Sequence, residues 1–160
     1  MWYHTRARVV ICLPTCNNLY SLHLAISLNC LPNRKQVSPQ HKEPMTILIV
    51  EDHAAVRRLL RRQVEELAAE ILECDNGADA VAVYARRQPD VVLMDIQMPG
   101  MDGLAATRSI KQTHADARVI FVTDYDQHEF RAAAEEVGAC GYVTKTDLGP
   151  LKSLIERAVQ

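Results

Sequence analysis

No stretch of 18 apolar residues runs uninterrupted anywhere in this chain. The nearest approach, Val9 to Leu31, is broken by Pro14, Asn17, Asn18, His23 and Asn29. A membrane-spanning helix is thereby excluded as the organising element. Net basic charge is also missing. The formal charge is −2 over 160 residues, so no overall field points to nucleic acid. The five cysteines lack the even count and spacing of a disulfide framework, which argues for a reducing, cytoplasmic setting. No repeat of short period is present. Hydrophobic residues at 48% and charged residues at 24% lie near globular averages, which excludes global disorder, collagen-like structure and coiled coil. The length suits one domain.

The charge is unevenly distributed. Residues 1–44 hold five Lys or Arg against the single acid Glu43, a net of +4, whereas residues 45–160 hold thirteen against nineteen, a net of −6. A basic start (Arg6, Arg8) before an apolar stretch gives some support to an export signal, but the stretch breaks early and no A-x-A site follows. Cys12, Cys16, His23 and Cys30 lack the paired C-x2-C spacing of zinc sites. Pro32, Pro39 and Pro44 mark a loose linker. Residues 1–44 are therefore expected to be an extension outside the fold, and residues 45–160 the folded domain.

From Thr46 the pattern turns regular. Short β-rich runs begin near Thr46 (TILIV), Glu70 (EILEC), Val91 (VVLM), Arg118 (RVIFV) and Gly141 (GYVT). Each interval carries a helical stripe: Val56, Leu59, Leu60, Val64 and Leu67; then Ala78, Val81, Ala82 and Ala85; then Leu104, Thr107 and Ile110; then Phe130, Ala133, Ala134 and Val137; and last Leu151, Leu154, Ile155 and Ala158. Such alternation predicts an α/β fold, a doubly wound five-stranded parallel sheet with helices on both faces. The runs ILIV and VVLM are continuously apolar, as strands covered on both faces should be.

In an open α/β sheet, chemistry collects beyond the carboxyl ends of the strands. Here the first strand runs into Glu51-Asp52, the third into Asp95, the fourth into Thr123-Asp124 and the fifth into Thr144-Lys145. Taken singly, each has an ordinary explanation: a helix cap for Glu51 or Asp52, a turn before Pro99-Gly100 for Asp95, a strand residue for Thr123, a solvated end for Lys145. Complementary groups at four strand ends are much harder to obtain by chance. If the first and third strands are neighbours, three carboxylates crowd together and repel, which a hard cation such as Mg²⁺ relieves. A lysine and a hydroxyl opposite them suit a dianionic phosphoryl group, with one carboxylate left as nucleophile.

The segments ILIVEDH (Ile47 to His53), VVLMDIQMPGMDG (Val91 to Gly103), VIFVTDYD (Val119 to Asp126) and GYVTKTDL (Gly141 to Leu148) resemble the receiver domain of bacterial two-component response regulators. The resemblance covers residues 46–160, about 72% of the chain. It implies strand order 2-1-3-4-5 in a flavodoxin-like fold. It implies Asp95 as phosphoacceptor, with Mg²⁺ held by Glu51, Asp52, Asp95 and the backbone carbonyl of Gln97. Thr123 and Lys145 would bind the phosphoryl oxygens. Tyr142 takes the aromatic switch position, turning inward as Thr123 moves and changing the surface of the fourth helix, fifth strand and fifth helix.

The implied partners are a sensor histidine kinase or phosphotransfer protein as donor, and an output protein that the sequence does not identify. On this resemblance the chain catalyses only its own phosphorylation and dephosphorylation. No basic recognition helix follows the fifth helical segment, so direct DNA binding by this chain is not expected. A stand-alone receiver, a relay shuttle and a remnant of a longer regulator remain open. Two other classes are carried. An aspartyl-nucleophile phosphatase would want an acid two residues after the nucleophile, where Gln97 stands. A phosphorylation-independent interaction module is disfavoured by the intact set of Glu51, Asp52, Asp95, Thr123 and Lys145.

Several residues fall outside that set. Arg57, Arg58, Arg61 and Arg62 are read as a solvated helix face, or more sharply as a contact for an acidic kinase surface. His53 is expected to start a helix rather than bind metal. Cys140 is expected to be a small core residue. Asp124 departs from the small residue usual in the family, and is expected to repel incoming phosphoryl donors.

Overall fold

Ile47–Val50 and Val91–Met94 are apolar at every position because helices cover both sides of the strands they form. The structure, a computed structural model, describes residues 45–160. The expectations for residues 1–44, including Cys12, Cys16, His23 and Cys30, lie outside the described residues. Five strands, β1 (Thr46–Val50), β2 (Glu70–Cys74), β3 (Val91–Met94), β4 (Val119–Thr123) and β5 (Gly141–Thr144), alternate with five helices. These are α1 (Ala54–Val64), α2 (Gly77–Arg87), α3 (Gly103–Thr113), α4 (His128–Glu136) and α5 (Leu151–Ala158). The sheet is parallel throughout, in order β2-β1-β3-β4-β5, as expected.

Alternate residues of each strand face opposite sides. Leu48, Val50, Val92, Met94 and Phe121 pack with Ala80 and Tyr84 of α2, Ala106 and Ile110 of α3 and Ala134 of α4. Ile47, Ile49, Leu93, Ile120 and Val122 pack with Leu60 and Val64 of α1 and Leu151 and Ile155 of α5. In register, Val50 of β1 lies beside Cys74 of β2 on one side and Met94 of β3 on the other. The chain order reverses between β1 and β3, so a crevice opens beyond their carboxyl ends.

Three packing expectations are corrected. Leu59 is 43% exposed, because the buried edge of α1 follows Leu60 and Val64 with Val56 and Leu67 beside them. On α2, Ala78, Ala82 and Ala85 face solvent, and the buried positions are Gly77, Ala80 and Tyr84. Alanine is indifferent enough to burial to occur on either face, so an alanine stripe set the wrong phase. Cys140 is exposed rather than in the core. It lies in the turn before β5 and reaches β4 from outside, its Sγ donating to the Val119 carbonyl at 3.2 Å.

Candidate functional site

The end of each central strand delivers one member of the site. The Asp95 amide donates to the Val50 carbonyl at 2.9 Å, which continues the β1–β3 ladder one step and brings the acid over the crevice. Asp95 is 5% exposed. Its Oδ1 accepts from the Ile96 amide at 2.7 Å, and its Oδ2 accepts from Lys145 Nζ at 2.8 Å. Lys145 is positioned from its backbone, whose amide donates to the Thr123 carbonyl at 2.8 Å. Its side chain is only 8% exposed and also lies 2.8 Å from Glu51 Oε2 and 3.5 Å from Asp124 Oδ2. Three carboxylates thus share one ammonium. Hydrogen bonds and charge from Asp95 and Glu51 outweigh burial and hold Lys145 firmly protonated.

Glu51 is fully buried, its amide donating to the Cys74 carbonyl at 3.1 Å. Its Oε1 accepts from the His53 amide at 3.2 Å. Its Oε2 lies 2.8 Å from the Lys145 ammonium. Burial raises the affinity of Glu51 for a proton, Lys145 opposes this, and the nearby Asp95 adds to it. The buried Glu51 and Asp95 carboxylates, with Asp52 beside them, offer the few hard oxygen donors that suit a small divalent cation. Asp52 makes its own contact within the turn. Its Oδ1 lies 2.8 Å from Nδ1 of the exposed His53 ring. Glu51, Asp52 and His53 place one ligand atom each within 4.8 Å of one another. The structure therefore forms two overlapping groups, Asp95–Lys145–Glu51 and Glu51–Asp52–His53. His53 also occupies the cap position of α1, without a side-chain capping bond.

Thr123 is fully buried at the end of β4, and its Oγ1 is 3.5 Å from the Tyr125 amide. Tyr142 is half-buried on β5, in register with Phe121, and its hydroxyl donates to the Tyr125 carbonyl at 2.5 Å. The Arg131 guanidinium lies 4.6 Å from the centre of the Tyr142 ring. Gln97 stands exposed in the loop after β3, where its Oε1 accepts from the Tyr125 hydroxyl at 2.7 Å. Tyr125, which the sequence did not single out, therefore meets Thr123, Tyr142 and Gln97 at once. Its place two residues beyond a strand-end threonine was the only available signal.

Another residue passed over is Gly103. A Cβ there would sit 1.9 Å from the Asp95 carbonyl oxygen, so only glycine lets α3 begin against the loop that follows β3. Its amide donates to the Ile96 carbonyl at 2.8 Å. The preceding Asp102 caps α3 through the Ala105 amide at 2.7 Å. The run from Asp95 to Gly103 is thus a strand end, a turn with Gly100 at φ 79°, a cap and a close contact in succession.

Comparison with known proteins agrees with this geometry. The family model described as the response regulator receiver domain matches residues 47–156. The chain is 42% identical over 99 residues to the chemotaxis protein CheY of Halobacterium salinarum, covering 62% of this chain and 82% of that protein. It is 35% identical over 114 residues to the DNA-binding transcriptional regulator NtrC of Escherichia coli, covering 71% of this chain and 24% of NtrC. A two-component response regulator of the LuxR family from Aurantimonas sp. SI85-9A1 superposes with a TM-score of 0.68 at 35% identity, covering 72% of this chain and 85% of that one. The matched segment spans most of CheY but only a quarter of NtrC. The chain belongs to the response regulator receiver domain family.

Proposed function

We propose that Asp95 accepts a phosphoryl group from a phosphohistidine of a sensor histidine kinase or phosphotransfer protein, within a phosphorelay. The observation that carries this is the Asp95–Lys145–Glu51 cluster: a nearly buried carboxylate with an ammonium at 2.8 Å, at the switch point of the sheet. An Asp95 oxygen forms the new bond to phosphorus, the phosphorus–nitrogen bond breaks, and the imidazole departs with the electron pair. Lys145 neutralises charge that develops on the phosphoryl oxygens, and Thr123 offers them a hydroxyl. Glu51, Asp52, Asp95 and the Gln97 carbonyl would hold Mg²⁺, which supplies further charge neutralisation when bound.

Phosphorylation then biases Thr123 and Tyr142 and, with them, the α4–β5–α5 surface that an output protein reads. Membership of a receiver family supports a signalling module rather than an enzyme acting on other substrates. No helix among the described residues is long and apolar enough to cross a membrane, and the cysteine pattern supports a cytoplasmic setting. Residues 45–160 form the receiver unit in this reading, with residues 1–44 outside it.

The test is incubation with Mg²⁺ and a small acyl phosphate, followed by intact mass. A hydroxylamine-labile gain of one phosphoryl group is expected, and Asp95→Asn abolishes it while leaving the fold intact. Unchanged labelling of that variant would reject the assignment.

A further inference from the structure

Arg57 differs from the other arginines of its run. Its Nη1 donates to the backbone carbonyl of Glu51 at 2.5 Å, six residues earlier in the chain. Its Nε lies 3.6 Å from Glu73 Oε2, and the side chain is only 20% exposed. Arg61 meets the other oxygen of the same carboxylate at 2.9 Å. Glu73 belongs to the edge strand β2, in register with Ile49 of β1. One guanidinium therefore ties together the edge of the sheet, the first turns of α1 and the turn that carries Glu51 and Asp52.

That turn is otherwise held by the Glu51 amide on the Cys74 carbonyl and by the His53 amide on Glu51 Oε1. α1 begins without a side-chain cap, and the Asp52 carboxylate is engaged with an exposed ring. The Glu51 carbonyl is the first beyond β1. Left without a donor, a part-buried carbonyl carries a desolvation cost, which Arg57 removes. The bond also sets direction. The peptide group is planar, so fixing the Glu51 carbonyl fixes the amide and Cα of Asp52 as well. The angle at which the Asp52 side chain leaves the backbone then depends on Arg57.

We propose that Arg57 is a positioning residue for the divalent-cation carboxylates, holding the Glu51–Asp52 peptide in place, with Glu73 as the anchor that orients the arginine. This rests on the Mg²⁺ site of the proposed function. Charge alone predicts the opposite sign: a guanidinium near a cation site repels the cation, and removing it should tighten binding. The two effects are therefore separable by the direction of the change.

The experiment titrates the full chain with Mg²⁺ alone and reads Kd by calorimetry, with thermal unfolding in chelator as the control for folding. Arg57→Met should weaken Mg²⁺ binding by about ten-fold, as loss of a partner that orients a metal ligand does. Arg57→Lys, which keeps the charge but cannot span carbonyl and carboxylate together, should fall between. Glu73→Gln, which weakens the anchor of Arg57 at the part-exposed sheet edge, should weaken binding by a smaller factor, roughly two- to three-fold. Equal or tighter binding by Arg57→Met overturns the role. Should that variant fail to fold, an unchanged Kd in Glu73→Gln overturns it instead. A wild-type chain that binds no Mg²⁺ overturns the cation site and this role together, whereas a binding wild type with unaltered variants overturns the role of Arg57 alone.

Discussion

The Asp124 carboxylate approaches the Lys145 ammonium to 3.5 Å, with its own side chain 67% exposed. The sequence suggested a carboxylate that repels an incoming donor. The geometry adds that Asp124 also draws on the cation that would receive the phosphoryl oxygens. In the proposed reaction both effects would slow phosphorylation of Asp95, and solvent weakens both.

Asp124→Ala should therefore speed labelling of Asp95 by small anionic donors at low salt by a factor of about three, roughly 0.6 kcal/mol in barrier. The gain should fade as ionic strength rises. Rates from mass spectrometry at two salt concentrations check this. Equal rates for variant and wild type at low salt would contradict it.

Lys145→Ala leaves the buried Glu51 and Asp95 carboxylates without their counter-ion. Removal of one partner from such a cluster costs about 3–5 kcal/mol when the remaining charge stays buried. The variant should melt well below the wild type in chelator, and added Mg²⁺ should recover much of the loss. A melting temperature unchanged in chelator would show that the two acids relax into solvent.

Cys74 carries the pH prediction. Burial, with Asp79 and Asp75 adding to it, pushes its thiol up from the usual 9.0 to about 11. At pH 8 the thiolate fraction is then about a hundred-fold below that of an ordinary thiol, and alkylation should slow in proportion. A thiol with a raised folded value stabilises the fold fully below the unfolded value. That contribution falls as pH rises from about 9 to 11, so stability declines across that window. Alkylation rates against pH, read by peptide mass, test it. Labelling of Cys74 at the rate of a free thiol at pH 8 would count against it.

The parts legible in the sequence were those that a strand end fixes by itself. Val50 and Met94 are neighbours in register, so the residues after them, Glu51 and Asp95, had to meet over one crevice. Lys145 follows β5 directly, and its bond to Thr123 holds it at the same edge. Side chains whose direction depends on another element were not legible. Asp52 turned to His53, Tyr125 reached Gln97, and Arg57 reached back to Glu51. Tyr125 and Gln97 lie in loops whose relative placement the local pattern does not encode, and the other two contacts depend on rotamers that periodicity does not set. The wrong phase of α2 has a different origin, since Ala78 and Ala82 carry too little apolar area to mark a face, while Tyr84 decides it.

Gly103 gives the most local test of how the acceptor is held. A methyl group at its Cα would fall 1.9 Å from the Asp95 carbonyl oxygen, 2.9 Å from the Asp95 carbonyl carbon and 2.9 Å from Met94 Cγ. Two of those atoms are backbone and cannot rotate away, so either α3 or the Asp95 peptide must shift. Overpacking of a tight contact costs about 1–3 kcal/mol, and backbone neighbours place this case toward the upper end. Moving the Asp95 peptide also misaligns its carboxylate with Lys145, a contact now at 2.8 Å. Gly103→Ala should therefore lower the melting temperature and, in the fraction that remains folded, reduce the rate of Asp95 phosphorylation. Gly100→Ala is the matched control. It has open space around its Cβ position, though its φ of 79° makes any side chain there strained. That variant should lose stability while labelling at close to the wild-type rate. Equal labelling rates for Gly103→Ala and wild type would show that α3 moves instead and that the acceptor loop is rigid without it.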